Sequence, residues 1–168
     1  LGGHLVSGHV DCTLQIQKID NSQDNYVIKF LTLENKHFEY IVPQGSITVC
    51  GVSLTVSNVY QDGFDISLIP ETLKRTNLKK CILENSKINI EKSLSIGDEI
   101  GGHFIYGHVD VTTTLRKTIR LENSWEYHFD KNFGINNKFI VEKGSISING
   151  ISLTISNITD NSFNISVI

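Results

Sequence analysis

The chain has no methionine, only three cysteines in 168 residues, and no long apolar run. Cys12, Cys50 and Cys81 are odd in number, far apart and form no CxxC pair. That argues against a disulfide framework and for a reducing compartment, so a cytoplasmic protein is expected. No stretch of about 18 consecutive apolar residues exists, which excludes a membrane-spanning helix. Positive charge is not in excess: 15 Lys and Arg face 18 Asp and Glu, a formal net charge of −3. A non-specific nucleic-acid binder would need a basic surface instead. The G-x-S-x-G elbow, the G-x-G-x-x-G fingerprint and the P-loop are all absent. The first residue is Leu, and with no methionine anywhere we expect the gene to extend at both ends.

What the chain does have is a copy of itself. "GGHLVSGHVD" begins at Gly2 and "GGHFIYGHVD" at Gly101, an offset of 99. The same offset relates "GSITVCGVSLTVSN" (Gly45 to Asn58) to "GSISINGISLTISN" (Gly144 to Asn157), and "FDISLI" to "FNISVI". Residues 2–69 and 101–168 share 25 identities in 68 positions. Solenoid repeats are far shorter, so each copy reads as a domain: 1–99 and 100–168, the second incomplete at its C-terminal side.

The pattern is β. In "SITVCGVSLTVSNV" the apolar parity slips at Gly51, and copy two slips around Gly150, as expected for a bulge or sharp bend. Beyond the glycine one strand face is apolar, and the other carries Ser53, Thr55 and Ser57, or Ser152, Thr154 and Ser156. "FDISLI" and "KINIE" read as further strands. Pro70 and Glu71 suit the start of a short helix in "PETLKRTNL". Short strands, glycine turns and little helix point to small closed barrels or a sandwich.

The histidine segment offers His4, His9 and Asp11 as ligands for a metal. Their spacing is poor for one. Five steps along a strand put two residues on opposite sides. On a helix they stand about 140° apart. Gly8 leaves a loop geometry open. Structural histidines bonded to backbone are the plain alternative. A functional reading rests on two histidines, a Ser-x-Thr strand face and a "PET" turn within one small domain, since imidazole titrates near neutral pH. Cys50 has Asn149 as its counterpart and reads as an inert buried thiol.

Together, "GGHxxxGHVD", "GSIxVxGVSLTV", "SLIPETLKRTNL" and "INIEKSLSIGDEIGGHFIYGHVD" closely resemble riboflavin synthases of the trimeric, lumazine-binding-barrel type. The resemblance implies two tandem six-stranded Greek-key β-barrels, a homotrimer, and no cofactor or metal. It implies that two molecules of 6,7-dimethyl-8-ribityllumazine exchange a four-carbon unit. The products are riboflavin and 5-amino-6-ribitylaminouracil. Each site would pair barrels of neighbouring subunits. Carried over by position, the half-site of copy two uses Gly107, His108, Val109, Lys143, Ser152, Leu153, Thr154, Ser166, Val167 and Ile168. That of copy one uses Gly8, His9, Val10, Ser53, Leu54, Thr55, Ser67, Leu68, Ile69, Pro70, Glu71 and Thr72. His108 with Ser152 is the expected catalytic pair, with His9 and Ser53 as its copy-one equivalents. Ser46 and Ser145 fall near the ring.

The chain also departs from that family. Its first barrel begins "GGH" where the family has "MFTGI". Ser53 stands where a cysteine is usual, and Gln44 is the counterpart of Lys143. Three readings follow: a window from a longer array of repeats, a first barrel replaced by a copy of the second, or a non-catalytic binding relative.

Overall fold

The computed structural model of the chain describes residues 3–22, 25–31, 38 and 41–168. Strands β1 (Cys12–Ser22), β2 (Asn25–Leu31), β3 (Ser46–Val49), β4 (Val52–Tyr60), β5 (Gly63–Leu68) and β6 (Lys87–Lys92) close into a barrel in the order β1-β2-β5-β4-β3-β6. β3, β4 and β5 follow one another as hairpins and β2 returns beside β5, a Greek-key order. Two one-turn helices, α1 (Pro70–Arg75) and α2 (Leu78–Leu83), lie between β5 and β6. Pro70 sits at the first helical turn of α1, where its missing N–H costs nothing. In the second copy, β7 (Leu115–Arg120), β8 (Trp125–Asp130), β9 (Ser145–Ile148), β10 (Ile151–Ile158) and β11 (Ser162–Val167) form a sheet in the order β7-β8-β11-β10-β9, with a 3₁₀ helix at Gly134–Phe139. The all-β class is thus observed: a complete six-stranded barrel and a five-stranded partner. Among the described residues no helix is long and apolar enough to cross a membrane.

The parity slip at Gly51 is neither a bulge nor a bend within one strand. Cys50 (φ 48°) and Gly51 (φ 80°) are both left-handed and reverse the chain from β3 to β4 in a two-residue hairpin. Asn149 (φ 51°) and Gly150 (φ 83°) do the same in copy two. A primed turn with two left-handed residues matches the twist of its strands, and Asn-Gly is its favoured sequence. Register shifts occur further along, between Val56 and Asn58 and between Ile155 and Asn157.

Burial follows closure. Inside the barrel Phe30, Phe64, Ile66, Leu68 and Ile90 are fully enclosed, and Leu73, Leu78 and Ile82 of the helices join the same core. In the second sheet Phe129, Phe133, Ile155, Phe163 and Ile165 form a smaller cluster. Matching positions differ sharply: Ile16 is 8% exposed and Leu115 46%, Val52 6% and Ile151 40%. In the barrel β6 bridges β1 and β3; β7 and β9 have no such strand between them among the described residues.

The two copies are laced together. Val6 and Ile105 form a bridge across the join. The hairpins touch: a Cβ on Gly51 would lie 2.7 Å from the nitrogen of Gly150. Asn77 and Asn89 of the first copy donate from their amide nitrogens to the side chain and backbone carbonyl of Asn149.

Candidate functional site

The Ser-x-Thr strands start one residue after their hairpins, so Ser53 and Ser152 are fixed by the turns themselves. Ser53 Oγ lies 2.7 Å from Nδ1 of His4. Nε2 of the same ring lies 3.2 Å from Oγ1 of buried Thr48, the residue across the ladder from Ser53. A neutral imidazole has one N–H and one lone pair, so one ring nitrogen donates and the other accepts. The second copy repeats the contact: Ser152 Oγ lies 2.7 Å from Nδ1 of His103. Burial lowers the pKa of both His4 and His103 below the ordinary histidine value. Both rings are therefore neutral at pH 7, ready to polarise a hydroxyl rather than to bind an anion.

The grouping by copy read from the sequence is crossed in space. The amide of Ser152 donates to the carbonyl of Gly8 at 2.9 Å, and that of Ser53 donates to the carbonyl of Gly107 at 2.8 Å. A Cβ on Gly8 would sit 2.7 Å from Cβ of Ser152, and one on Gly107 would sit 2.6 Å from Cβ of Ser53. Both glycines also have left-handed φ, so only glycine permits the approach. Val109 of the second copy packs on the core of the first. Each Ser-x-Thr strand thus meets the Gly-His of the other copy. Nor does Ser152 hydrogen-bond to His108; its partner is His103. His9 and His108 are exposed, with the His9 ring beside Gly101 and the His108 ring beside Gly3.

A cleft of about 400 Å³ opens on the first barrel, lined by Gln44, Ser53, Leu54, Thr55, Ser57, Ser67, Ile69 and Thr72. Six of these were expected from the sequence; Gln44 and Ser57 are additions. Ser57 had a signal, since it continues the polar face of Ser53 and Thr55. Six of the twelve copy-one positions carried over from the family, Gly8, His9, Val10, Leu68, Pro70 and Glu71, do not line it. Leu68 points into the barrel core, Pro70 opens α1, and Glu71 pairs with Arg75 one helical turn on. The lining is rich in hydroxyls and carries no formal charge, which suits an uncharged polyhydroxylated ligand. Val10, which follows His9 in the chain, is half-buried.

In the second copy Ser152, Leu153 and Thr154 lie on β10, and Ser166 and Val167 end β11 with Ile168 exposed after them. Lys143 keeps the backbone of Gln44: both are left-handed, at 63° and 64°, and both amides donate into the adjacent strand, to Ile155 and Val56. Ser46 and Ser145 stand across the ladder from Thr55 and Thr154. Asp11 accepts from the amide of Lys92 at 2.7 Å, tying the end of its segment to β6. No group of three or more His, Cys, Asp or Glu among the described residues is placed to hold a metal. Burial pushes the Cys50 thiol up to about 11, where it is no nucleophile at neutral pH.

Residues 7–93 and 106–168 match the lumazine binding domain family. The chain belongs to that family. Its similarity to riboflavin synthases is substantial: 37% identity over 123 residues with that of Actinobacillus pleuropneumoniae, covering 73% of this chain and 56% of the relative. The figure is 36% over 123 residues, with the same coverage, for Bacillus subtilis (strain 168). It is 40% over 112 residues for Mycobacterium tuberculosis (strain ATCC 25618 / H37Rv), covering 66% and 55%. The chain spans about half the length of the curated relatives it matches. Among solved structures, LumP complexed with riboflavin aligns with a TM-score of 0.83 at 22% identity, over 96% of this chain and 85% of that one. LumP complexed with 6,7-dimethyl-8-(1'-D-ribityl) lumazine aligns with a TM-score of 0.79 at 22% identity, over 95% and 84%. At that identity they share the fold. Each matched segment holds the serine of one Ser-His pair, Ser53 or Ser152, while His4 and His103 lie three residues before the matched segments.

Proposed function

We propose that this chain is the lumazine-binding part of a riboflavin synthase. It would act as a transferase that moves a four-carbon unit between two molecules of 6,7-dimethyl-8-ribityllumazine. The observation that carries the reading is the duplication of one hydrogen bond: Ser53 with His4 and Ser152 with His103, both at 2.7 Å. A reaction between two copies of one molecule needs two related half-sites. Two lumazines contain all the atoms of riboflavin and 5-amino-6-ribitylaminouracil, so no oxidant or cofactor is required. Holding the two rings in register removes much of the entropic barrier to a bimolecular step.

In this reading the uncharged cleft holds one ribityl chain through Ser57, Ser67, Thr72 and Gln44. Ser53 and Ser152, polarised by neutral imidazoles, orient the ring and meet charge that develops on it. His9 and His108, exposed at the Gly-His loops, would move the proton of the acidic 7-methyl group. Residues 1–99 and 100–168 are the two domains, and a homotrimer brings half-sites of neighbouring subunits face to face. We place the protein in the cytoplasm, in keeping with its odd, scattered cysteines.

The fold shared with LumP in complex with riboflavin favours a second reading, a binding protein without turnover. One experiment separates them. Purified protein is incubated with 6,7-dimethyl-8-ribityllumazine and flavin absorbance is followed. Riboflavin formed in excess over protein supports the enzyme. Stoichiometric binding with no flavin supports the second reading, and no binding at all defeats both.

A further inference from the structure

Glu91, on β6, is a buried carboxylate, 5% exposed, and no lysine or arginine among the described residues pairs with it. A buried charge without a cation is costly unless hydrogen bonds replace its hydration. Those bonds come from three successive residues of the histidine segment. Oε1 accepts from the amide of Ser7 at 2.8 Å, the hydroxyl of Ser7 at 3.0 Å, the amide of Gly8 at 3.0 Å and the amide of His9 at 3.3 Å. Oε2 accepts from the amide of Gly8 at 3.2 Å. Consecutive N–H groups turned toward one point form an anion-binding concavity, and here the anion is built into the protein. Bonds to an ionised acceptor are the stronger kind.

The consequence reaches the other copy. With its N–H held by Glu91, Gly8 presents its carbonyl to the amide of Ser152 at 2.9 Å. The same turn sets His9 beside Gly101, two residues before His103. The equivalent loop of the second copy, Tyr106 to His108, has no carboxylate bound to it among the described residues. Both serine amides end on a glycine carbonyl, and behind that of Gly8 stands the carboxylate of Glu91.

We propose that Glu91 is a positioning residue for the half-site at Ser152: by holding Ser7, Gly8 and His9 on β6 it sets the loop against which Ser152 and His103 are aligned. Its effect on ligand rests on the function proposed above; its effect on the loop does not. The experiment therefore has two arms, both on the whole chain with Glu91→Gln, which keeps the side chain's shape. Amide hydrogen exchange by NMR, without ligand, is expected to accelerate about tenfold at Gly8, His9 and Ser152 while the Ser53 amide stays within about twofold. Equal acceleration at Ser53 would show general loosening, and no change at Ser152 would show that the carboxylate sets nothing; either overturns the proposal. In the second arm, 6,7-dimethyl-8-ribityllumazine is titrated into wild type and Glu91→Gln, with Ser53→Ala and Ser152→Ala assigning the two half-sites. Affinity is expected to fall about tenfold at the Ser152 half-site alone. Rescue by Glu91→Asp of Ser152 amide protection, in part, would further support a charged acceptor. Should wild type take up no lumazine, the functional reading falls and the exchange arm alone decides the role of Glu91.

Discussion

Ser152 Oγ lies 2.7 Å from Nδ1 of His103, a residue 49 positions earlier in the chain, and the amide of the same serine is held by Gly8 of the other copy. Hydroxyl and backbone are thus fixed by two different segments. If the hydroxyl meets developing charge, Ser152→Ala should lower turnover by about a hundredfold with little change in unfolding midpoint. His103→Ala should follow it, since the imidazole acts through that hydroxyl. His108→Ala should lower turnover more than affinity if the exposed ring moves the proton. Riboflavin formation from 6,7-dimethyl-8-ribityllumazine measures all three, and equal activity of the Ser152 and His103 variants with wild type would remove the pair from the mechanism.

Acid should weaken the same centre. His4 and His103 are held neutral because burial lowers their pKa below the ordinary value of 6.5. The unfolded chain, with histidines near 6.5, therefore binds protons that the folded chain does not. Stability from these two groups is complete above about pH 6.5 and is lost as pH falls through their lower folded values. Denaturant unfolding between pH 8 and pH 5 should show a falling midpoint, and the fall should shrink in the double variant His4→Gln with His103→Gln. An unchanged slope would assign the acid sensitivity elsewhere.

The crossing of the copies predicts the effect of a single methyl group. Gly8→Ala places a Cβ 2.7 Å from both Cβ and N of Ser152, at a backbone φ of +80°. A left-handed alanine costs about 1 kcal/mol before any clash, and the clash adds to it. Gly107→Ala does the same to Ser53, at 2.6 Å and +69°. Gly97→Ala is the control: it is also left-handed, at +99°, but open space surrounds it. The first two should lose ligand binding as well as stability, the third stability alone. Lumazine titration beside thermal unfolding reads the difference.

Much of this was legible in the residues. "KINIE" and "PETLKR" became β6 and α1, while the slips at Gly51 and Gly150, read as a bulge or sharp bend in one strand, are two-residue hairpins between two strands. Periodicity put Ser53, Thr55 and Ser57 on one strand face, and all three line the cleft; Ser67, Ile69 and Thr72 were expected only from the family resemblance. The crossing was not legible, and the reason is physical. Both copies carry the same Gly-His and the same Ser-x-Thr letters, so no local pattern says which Gly-His meets which strand. That choice is made by the contact of the two hairpins and by the left-handed glycines, which turn each loop toward the opposite barrel. The same degeneracy hid His4 and His103. Two histidines in one segment look alike until the backbone decides which reaches the serine.

Closure of the first barrel should show in paired core substitutions. Val52 and Ile151 occupy equivalent positions, yet one is 6% exposed and the other 40%. Deleting buried methyl groups leaves a cavity, whereas an exposed side chain loses little when shortened. Val52→Ala should therefore destabilise by about 2 kcal/mol and Ile151→Ala by less than about 0.5 kcal/mol, although the second removes more carbon. Phe64 and Phe163 make the complementary pair, at 1% and 0% exposed, each packed on neighbouring rings. Both should cost about 3–5 kcal/mol on truncation to alanine. Urea unfolding of the four variants tests whether burial at each site, rather than membership of the closed or open sheet, sets the cost. A large loss at Ile151 would mean that in solution the second sheet covers that residue.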